Sequence, residues 1–448
     1  MAGFDTVLQY IPEVAGPTQK HLSFKEKLKW TGLVLVLFFI LGAVPLVGLG
    51  ENALSRFEFL SVVLGASFGS IISLGIGPIV TASIVLQLLN GSGLLNFDLK
   101  SAAGKAAFQG TQKLLTYFFI ILEAAVYVLM GGLAPAAGVP AIALIIQLCI
   151  GGLIIIFLDE IVSKWGFGSG ISLFIAAGVS QRIFTQIFSP LHRQVATGVF
   201  EDSFVGAIPE LFRTLSAGDS TAAGLVLLPL IATLIIFAIV VFAQAMKVEI
   251  PLSFGRIRGH GVRWPLNFIY TNVLPVILVS ALLANLQLLG TLFSSNKFFS
   301  SLSLFLSNQN LLQNILIGNA SFGLIMGTIG YLLFYIFATT LFSWFWMQTA
   351  RLDPRSQAEQ MMASGLQIPG FRKDIRVLER LLKRYIYPLT IMGGMFIGFL
   401  AGFANLTGAF GSGTGLLLTV MIIYKLYEDI AKQHLEDMNP MLRKMVGK

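Results

Sequence analysis

Ten apolar stretches, most of them about 20 residues long, recur between Trp30 and Tyr427 with polar segments between them. A helix of that length runs about 30 Å, which matches the hydrocarbon core of a bilayer. Repetition of such stretches restricts the chain to a polytopic all-α membrane protein, because lipid offers the backbone no hydrogen-bond partners and each span must satisfy its own. Composition agrees: 55% of residues are hydrophobic and 12% charged, against about 25% charged in soluble domains. The spans read as residues 30–49, 77–89, 114–133, 140–158, 170–188, 222–245, 268–289, 323–347, 385–404 and 415–427. No cleavable signal is expected ahead of the first span, since residues 1–29 are polar and the apolar run that follows is long. A basic amphipathic piece, FKEKLKW from Phe24 to Trp30, should lie along the membrane surface.

Orientation follows from Lys and Arg placement. With ten spans, 25 of the 30 basic residues fall on the side that holds the N-terminus. Both termini and the 2/3, 4/5, 6/7 and 8/9 loops are therefore expected in the cytoplasm. The other side keeps Arg56, Arg182, Arg193, Arg213 and Lys297. A polar outside connection, 189–221, divides the spans five and five. Halves with an odd number of spans enter the membrane in opposite senses, so a shared fold would make them an inverted repeat. The expected organisation is a cytoplasmic N-terminus (1–29), a first half (30–188), the external connection (189–221), a second half (222–427) with cytoplasmic loops at 247–267 and 348–384, and a tail (428–448).

One stretch breaks the pattern. Residues 57–90 hold a single charge, Glu58. As one helix they would extend about 51 Å, too long for one crossing, yet they are too short for two. The step Leu74-Gly75-Ile76-Gly77-Pro78 puts two glycines and a proline inside, where an undisturbed helix cannot continue. The reading is a half-helix over about 57–70 followed by a full span from Gly77. A non-helical break at membrane depth survives only where it is buried in protein or lines a wet cavity.

Ionisable residues, which mark catalytic and ion-coupled sites in membranes, are scarce. Glu123 is the clearest intramembrane carboxylate. Asp159 and Glu160 read as a solvated helix end beside Lys164. The four histidines lie in loops or tails, and Cys149 is alone, so no metal site, disulfide or cofactor is expected. No enzyme activity is expected either. Glycine pairs recur instead, at Gly75/Gly77, Gly168/Gly170 and Gly411/Gly413/Gly415, each ahead of a span rich in branched aliphatics. Close helix packing is one reading of each pair. The other is a shared pore lining, since Ile76/Val80 and Ile171/Ile175 are four apart and so share helix faces. Stiff aliphatic rows would make a dewetted constriction.

The runs SLGIGPIVT (73–81), LDEIVSKWGFGSGISLFIAAGVSQ (158–181), VEIPLSFGRIRG (248–259), IPGFRKD (368–374) and GSGTGLLLTV (411–420) closely resemble the SecY family, archaeal branch, the central subunit of the Sec protein-conducting channel. The resemblance implies a clamshell of two inverted pseudo-symmetric halves, a re-entrant plug half-helix and a gate opening sideways to lipid. It implies a pore ring of Ile76, Val80, Ile171, Ile175, Ile277 and Leu418, a plug that includes Phe57, Phe59, Leu60, Val62, Val63, Leu64, Gly65 and Gly69, and a polar lateral-gate cluster of Thr81, Glu123 and Asn272. The implied role is passage of secretory polypeptides and lateral release of transmembrane segments, driven by a partner.

Eight basic residues between Arg351 and Arg384, with Arg256, Arg258 and Arg263 in the 6/7 loop, exceed what topology needs. Clustered Arg and Lys neutralise RNA phosphates. The resemblance implies ribosome docking, to RNA and protein, through Arg256, Arg258, Arg263, Arg372, Lys373 and Arg376. Its implied partners are SecE-type (gamma) and Sec-beta or SecG-type small membrane subunits, signal sequences, nascent polypeptides and lipid. The implied location is the cell membrane. A secondary transporter, which also uses broken helices, is the alternative. It would need polar groups converging on the break, where only Ser73 and Thr81 stand.

Overall fold

The computed structural model describes residues 12–18, 22–52, 66–91, 93–95, 97, 101–196, 199–254, 261–271, 274–292, 306, 311–318, 321–363, 366–367 and 374–438. Each of the ten expected spans falls on a helix: α1 (Phe24–Ala43), α2 (Gly77–Gly91), α3 (Ala102–Leu129), α4 (Ala141–Trp165), α5 (Gly170–Phe188), α7 (Ser220–Ala245, after the short α6, Ala207–Ser216), α8 (Leu274–Leu292), α10 (Phe322–Thr349, after α9, Leu311–Leu316), α12 (Ile375–Leu406, after α11, Pro354–Ala363) and α13 (Gly413–Met438). Among the described residues, six helices, α3, α4, α5, α7, α10 and α12, are long and apolar enough to cross a membrane.

The chain divides into two compact units, residues 1–179 with 422–448, and 180–421. In the first, Ser23 and Glu26 form a reciprocal capping box that starts α1. The FKEKLKW piece is therefore not a separate surface element: it forms the first two turns of the span helix, because a strong cap precedes it and no breaker follows. A strap of residues 12–15 lies on the C-terminal end of α4 and against Lys113 within α3. Glu160 accepts from the Val14 N–H at 2.8 Å, Lys113 pairs with Glu160 and donates to the Pro12 carbonyl at 2.6 Å, and Trp165 Nε1 donates to the Ala15 carbonyl at 2.9 Å. Lys164 pairs with Glu13. Strands β1 (Leu49–Asn52) and β2 (Leu133–Pro135) pair antiparallel, so α1 and α3 stop short of the expected span ends at 49 and 133. Phe38 of α1 stacks on Phe174 of α5 with ring centroids 4.8 Å apart.

In the second unit α10 and α12 pack closely, and glycines explain how. A Cβ on Gly394, Gly398 or Gly402 would come within 2.8 Å of Ser343 Oγ, 2.9 Å of Ile336 Cα or 2.8 Å of Leu332 Cδ1 respectively. These positions repeat every four residues along one face of α12, letting the backbones approach as small residues do in membrane helices.

The second unit also contains strands that an all-helical reading omits. Strands β3 (His192–Ala196) and β4 (Val199–Phe204) form a hairpin between α5 and α6. Strands β5 (Lys247–Phe254) and β6 (Gly261–Asn267) form another, and β7 (Leu366–Gln367) adds to the free edge of β5. Helix α8 accordingly starts at Leu274 rather than 268, since residues 261–267 are committed to the ladder. Ile250 and Leu266 from this sheet are buried in one core with Ala358 and Met361 of α11 and Leu378, Leu382 and Ile386 of α12. The described parts of the 6/7 and 8/9 loops thus share one core.

Candidate functional site

The break before α2 is a run of tight turns. Backbone bonds reach only three residues back, from Ser70 to Ser67, Ser73 to Ser70, Gly75 to Ile72 and Gly77 to Leu74, at 2.9 to 3.2 Å. Gly69 and Gly75 take φ of +95° and +55°, a region glycine enters freely. Serine hydroxyls take up local carbonyls: Ser70 Oγ donates to Ser67 O at 2.7 Å and Ser73 Oγ to Ser70 O at 2.5 Å. An antiparallel bridge links Ser70 to Pro45, just past α1. Of the expected half-helix, 57–65 lies outside the described residues. Residues 66–70 are turn and bridge, because the serines and Gly69 satisfy the backbone locally where a helix would need longer bonds. Gly151 of α4 supports the break from behind, since a Cβ there would run into the Ile71 carbonyl.

Pro78 follows Gly77 in the first turn of α2, where its missing N–H has no partner to lose. The other candidate ring helices also begin at breakers. Gly168 (φ +69°) precedes α5, Pro275 stands second in α8, and Gly411 (φ +74°) and Ser412 (φ +58°) precede α13. Each ring candidate lies just before or within the first two turns of its helix. Ile76, Ile175, Ile277 and Leu418 are buried, and Val80 and Ile171 are half-buried.

The start of α5 has a cap that the sequence reading misassigns. Asp159 is not a solvated helix end: its Oδ1 accepts from the Ile171 N–H at 3.0 Å. Residues 166–169 turn the chain back on itself, so a carboxylate near the end of α4 satisfies an orphan donor of α5. A Cβ on Gly170 would meet Asp159 Cα at 2.6 Å, so only glycine permits the approach. A spacing of 12 residues across a turn is not a recognisable capping pattern, and the sequence offered no signal for it.

Thr81 and Glu123 meet as expected. Thr81 Oγ1 donates to Glu123 Oε1 at 3.2 Å, joining α2 to α3. Their expected companion Asn272 lies outside the described residues, as do Phe57, Phe59, Leu60, Val62, Val63, Leu64 and Gly65 of the plug. So do Arg256, Arg258, Arg372 and Lys373 of the basic loops. Arg263 is described: its side chain is 79% exposed on β6 and pairs with Glu249 of β5 at 2.9 Å. Arg376 is exposed in the first turn of α12, whose N-cap Asp374 accepts from the Arg376 N–H at 2.9 Å. Among the described residues, no cluster of His, Cys, Asp and Glu could hold a metal ion.

Multiple apolar spans, a turn-built break inside one of them and aliphatic residues at each broken helix start define a multi-pass membrane protein whose candidate site is a lining rather than a reactive centre. The comparisons are specific. The SecY family profile matches residues 70–427. The protein translocase subunit SecY of Methanothermobacter thermautotrophicus is 45% identical over 99% of this chain and 98% of its own length, and that of Methanocaldococcus jannaschii is 40% identical over 99% of each. A solved protein-conducting channel superposes with a TM-score of 0.78 at 40% identity, over 96% of this chain and 97% of its own. The channel of a canine ribosome–channel complex from the endoplasmic reticulum gives 0.76 at 38% identity with the same coverage. The chain belongs to the SecY family.

Proposed function

We propose that the chain is the pore-forming subunit of a protein translocation channel, carrying secretory polypeptides across the membrane and releasing transmembrane segments sideways into lipid. The observation that carries the reading is the coincidence of a family match across 70–427 with aliphatic side chains at four broken helix starts. The relatives described above are translocase subunits and channels, which favours this reading over a transporter. Ile76, Val80, Ile171, Ile175, Ile277 and Leu418 form the seal, and residues 57–70 are the plug that leaves it on opening. Aliphatic walls suit a chain of arbitrary sequence, because a constriction of such groups excludes ions while offering no polar site at which a passing segment would stall. Thr81 and Glu123, with Asn272, form the polar edge of the lateral gate.

The ribosome is the partner on the cytoplasmic side, bound through Arg256, Arg258, Arg263, Arg372, Lys373 and Arg376. Support comes from the ribosome-bound canine relative and from the shared core that mounts both loops on one module. SecE-type and SecG-type small subunits complete the channel. Both termini face the cytoplasm of a cell whose plasma membrane holds the protein, and 189–221 is the hinge between the halves. The seal is tested by ion conductance of the reconstituted channel. Ile171→Gly with Ile175→Gly should raise resting leak several-fold, and a conductance equal to the parent's would overturn the assignment.

A further inference from the structure

A buried polar network in the second unit has no part in the account so far. Asn405, near the end of α12, donates from Nδ2 to the Tyr331 hydroxyl at 3.0 Å and to Thr414 Oγ1 at 3.2 Å, and its Oδ1 accepts from the Thr414 N–H at 3.3 Å. The ring of Tyr331 lies 5.7 Å from that of Tyr335, one turn along α10. The Tyr335 hydroxyl shares a hydrogen bond of 2.9 Å with Ser280 Oγ of α8. Ser280, Tyr335 and Thr414 are fully buried. Four helices, α8, α10, α12 and α13, therefore meet through side-chain hydrogen bonds within one unit.

The network touches two helices at particular heights. Ser280 is three residues after Ile277, and Thr414 is four residues before Leu418, so each shares a helix face with a candidate ring residue one turn away. Gly413 lets α13 sit against α12, since a Cβ there would strike Ala404 and the Asn405 nitrogen. In a membrane bundle packing alone tolerates sliding between apolar faces, whereas interhelical hydrogen bonds between single groups fix depth and rotation. The geometry points to Tyr335 and Asn405 as positioning residues that hold Ile277 and Leu418 at a common height in the closed pore. This rests on the pore-ring assignment above.

Single-channel recordings of the purified complex in planar bilayers test it, with Tyr335→Phe and Asn405→Leu as the probes. Tyr335→Phe removes only the hydroxyl, and Asn405→Leu removes the amide's hydrogen bonds while keeping the branched shape and the number of side-chain heavy atoms. Thr339→Val is the control: Thr339 is equally buried on α10, but among the described residues its hydroxyl bonds to the Tyr335 carbonyl of its own helix alone, at 2.8 Å. Ile277→Gly reports on the ring itself. The expected result is resting leak raised several-fold in Tyr335→Phe, Asn405→Leu and Ile277→Gly, with Thr339→Val at the parental level. Parental leak in both probes while Ile277→Gly leaks would overturn the positioning role and leave the ring intact. Equal leak in the control and the probes would also overturn it, reducing the effect to general loosening. Parental leak in Ile277→Gly would remove the ring and this inference with it. Should Asn405→Leu fail to assemble, Ser280→Ala replaces it with the same expected leak.

Discussion

Glu13 illustrates how a single residue ties chain segments that the sequence separates by 150 positions. Its carboxylate pairs with Lys164, and that lysine holds the Glu13 carboxyl below the usual carboxylate range. A carboxylate with a depressed pKa stabilises its contact above the unfolded pKa of about 4.3 and loses that contribution as pH falls through the lower folded value. The contact is largely exposed, so its energy is small. Protection of the Val14 and Ala15 amides against hydrogen exchange, taken relative to the intrinsic rate at each pH, should accordingly fall below about pH 4, and Glu13→Gln should show the lowered protection already at neutral pH. Protection that does not respond to either change would mean the strap is held without Glu13. Single residues were unevenly legible. Glu123 stands out in the sequence as a lone carboxylate in a span, but Thr81 joins it only through the family resemblance; the structure shows their hydrogen bond. Asp159 was misread because the turn that folds it onto α5 is a three-dimensional fact, and a carboxylate beside Lys164 looks the same whether solvated or capping.

Elements were legible where their periodicity was long. Spans such as 170–188, matched residue for residue by α5, follow from hydropathy alone, because burial in lipid demands the same composition all round a helix. The β5–β6 hairpin was passed over as a basic loop, yet its signal was present. In the sequence Val248, Ile250, Leu252 and Phe254 alternate with Glu249, Pro251 and Ser253 at the strand period of two, and Val248, Ile250 and Leu252 stand in register with Leu266, Trp264 and Val262 of β6. The sheet matters because its buried face is the core shared with α11 and α12, and removing a large side chain from such a core costs about 2–5 kcal/mol. Leu382→Ala should therefore lower the thermal midpoint in detergent and open the 247–267 hairpin to protease first. Unfolding of the whole chain with no earlier hairpin cleavage would contradict a separately packed cytoplasmic module.

At the scale of the whole molecule, the scarcity of intramembrane charge and the recurrence of Gly- or Pro-broken helix starts are what the proposed channel requires. A chain that must let arbitrary sequences pass needs walls that hold nothing, and a seal of aliphatic groups that reforms when the cargo has gone. Hydropathy, charge bias and the broken stretch were enough for a multi-pass protein with a buried break. The identity of the cargo came from long motifs, because a lining of isoleucine and leucine carries no chemical signature of what it transmits. The most direct measurement is site-specific crosslinking from inside the proposed seal. With a secretory polypeptide stalled on the ribosome during transit, cysteines introduced by Ile76→Cys and by Leu418→Cys should each crosslink to a cysteine placed in the spanning segment of the cargo, and a cysteine at Phe242, exposed on α7, should not. Absence of crosslinks at both 76 and 418, with cargo captured elsewhere, would contradict a polypeptide path through these residues.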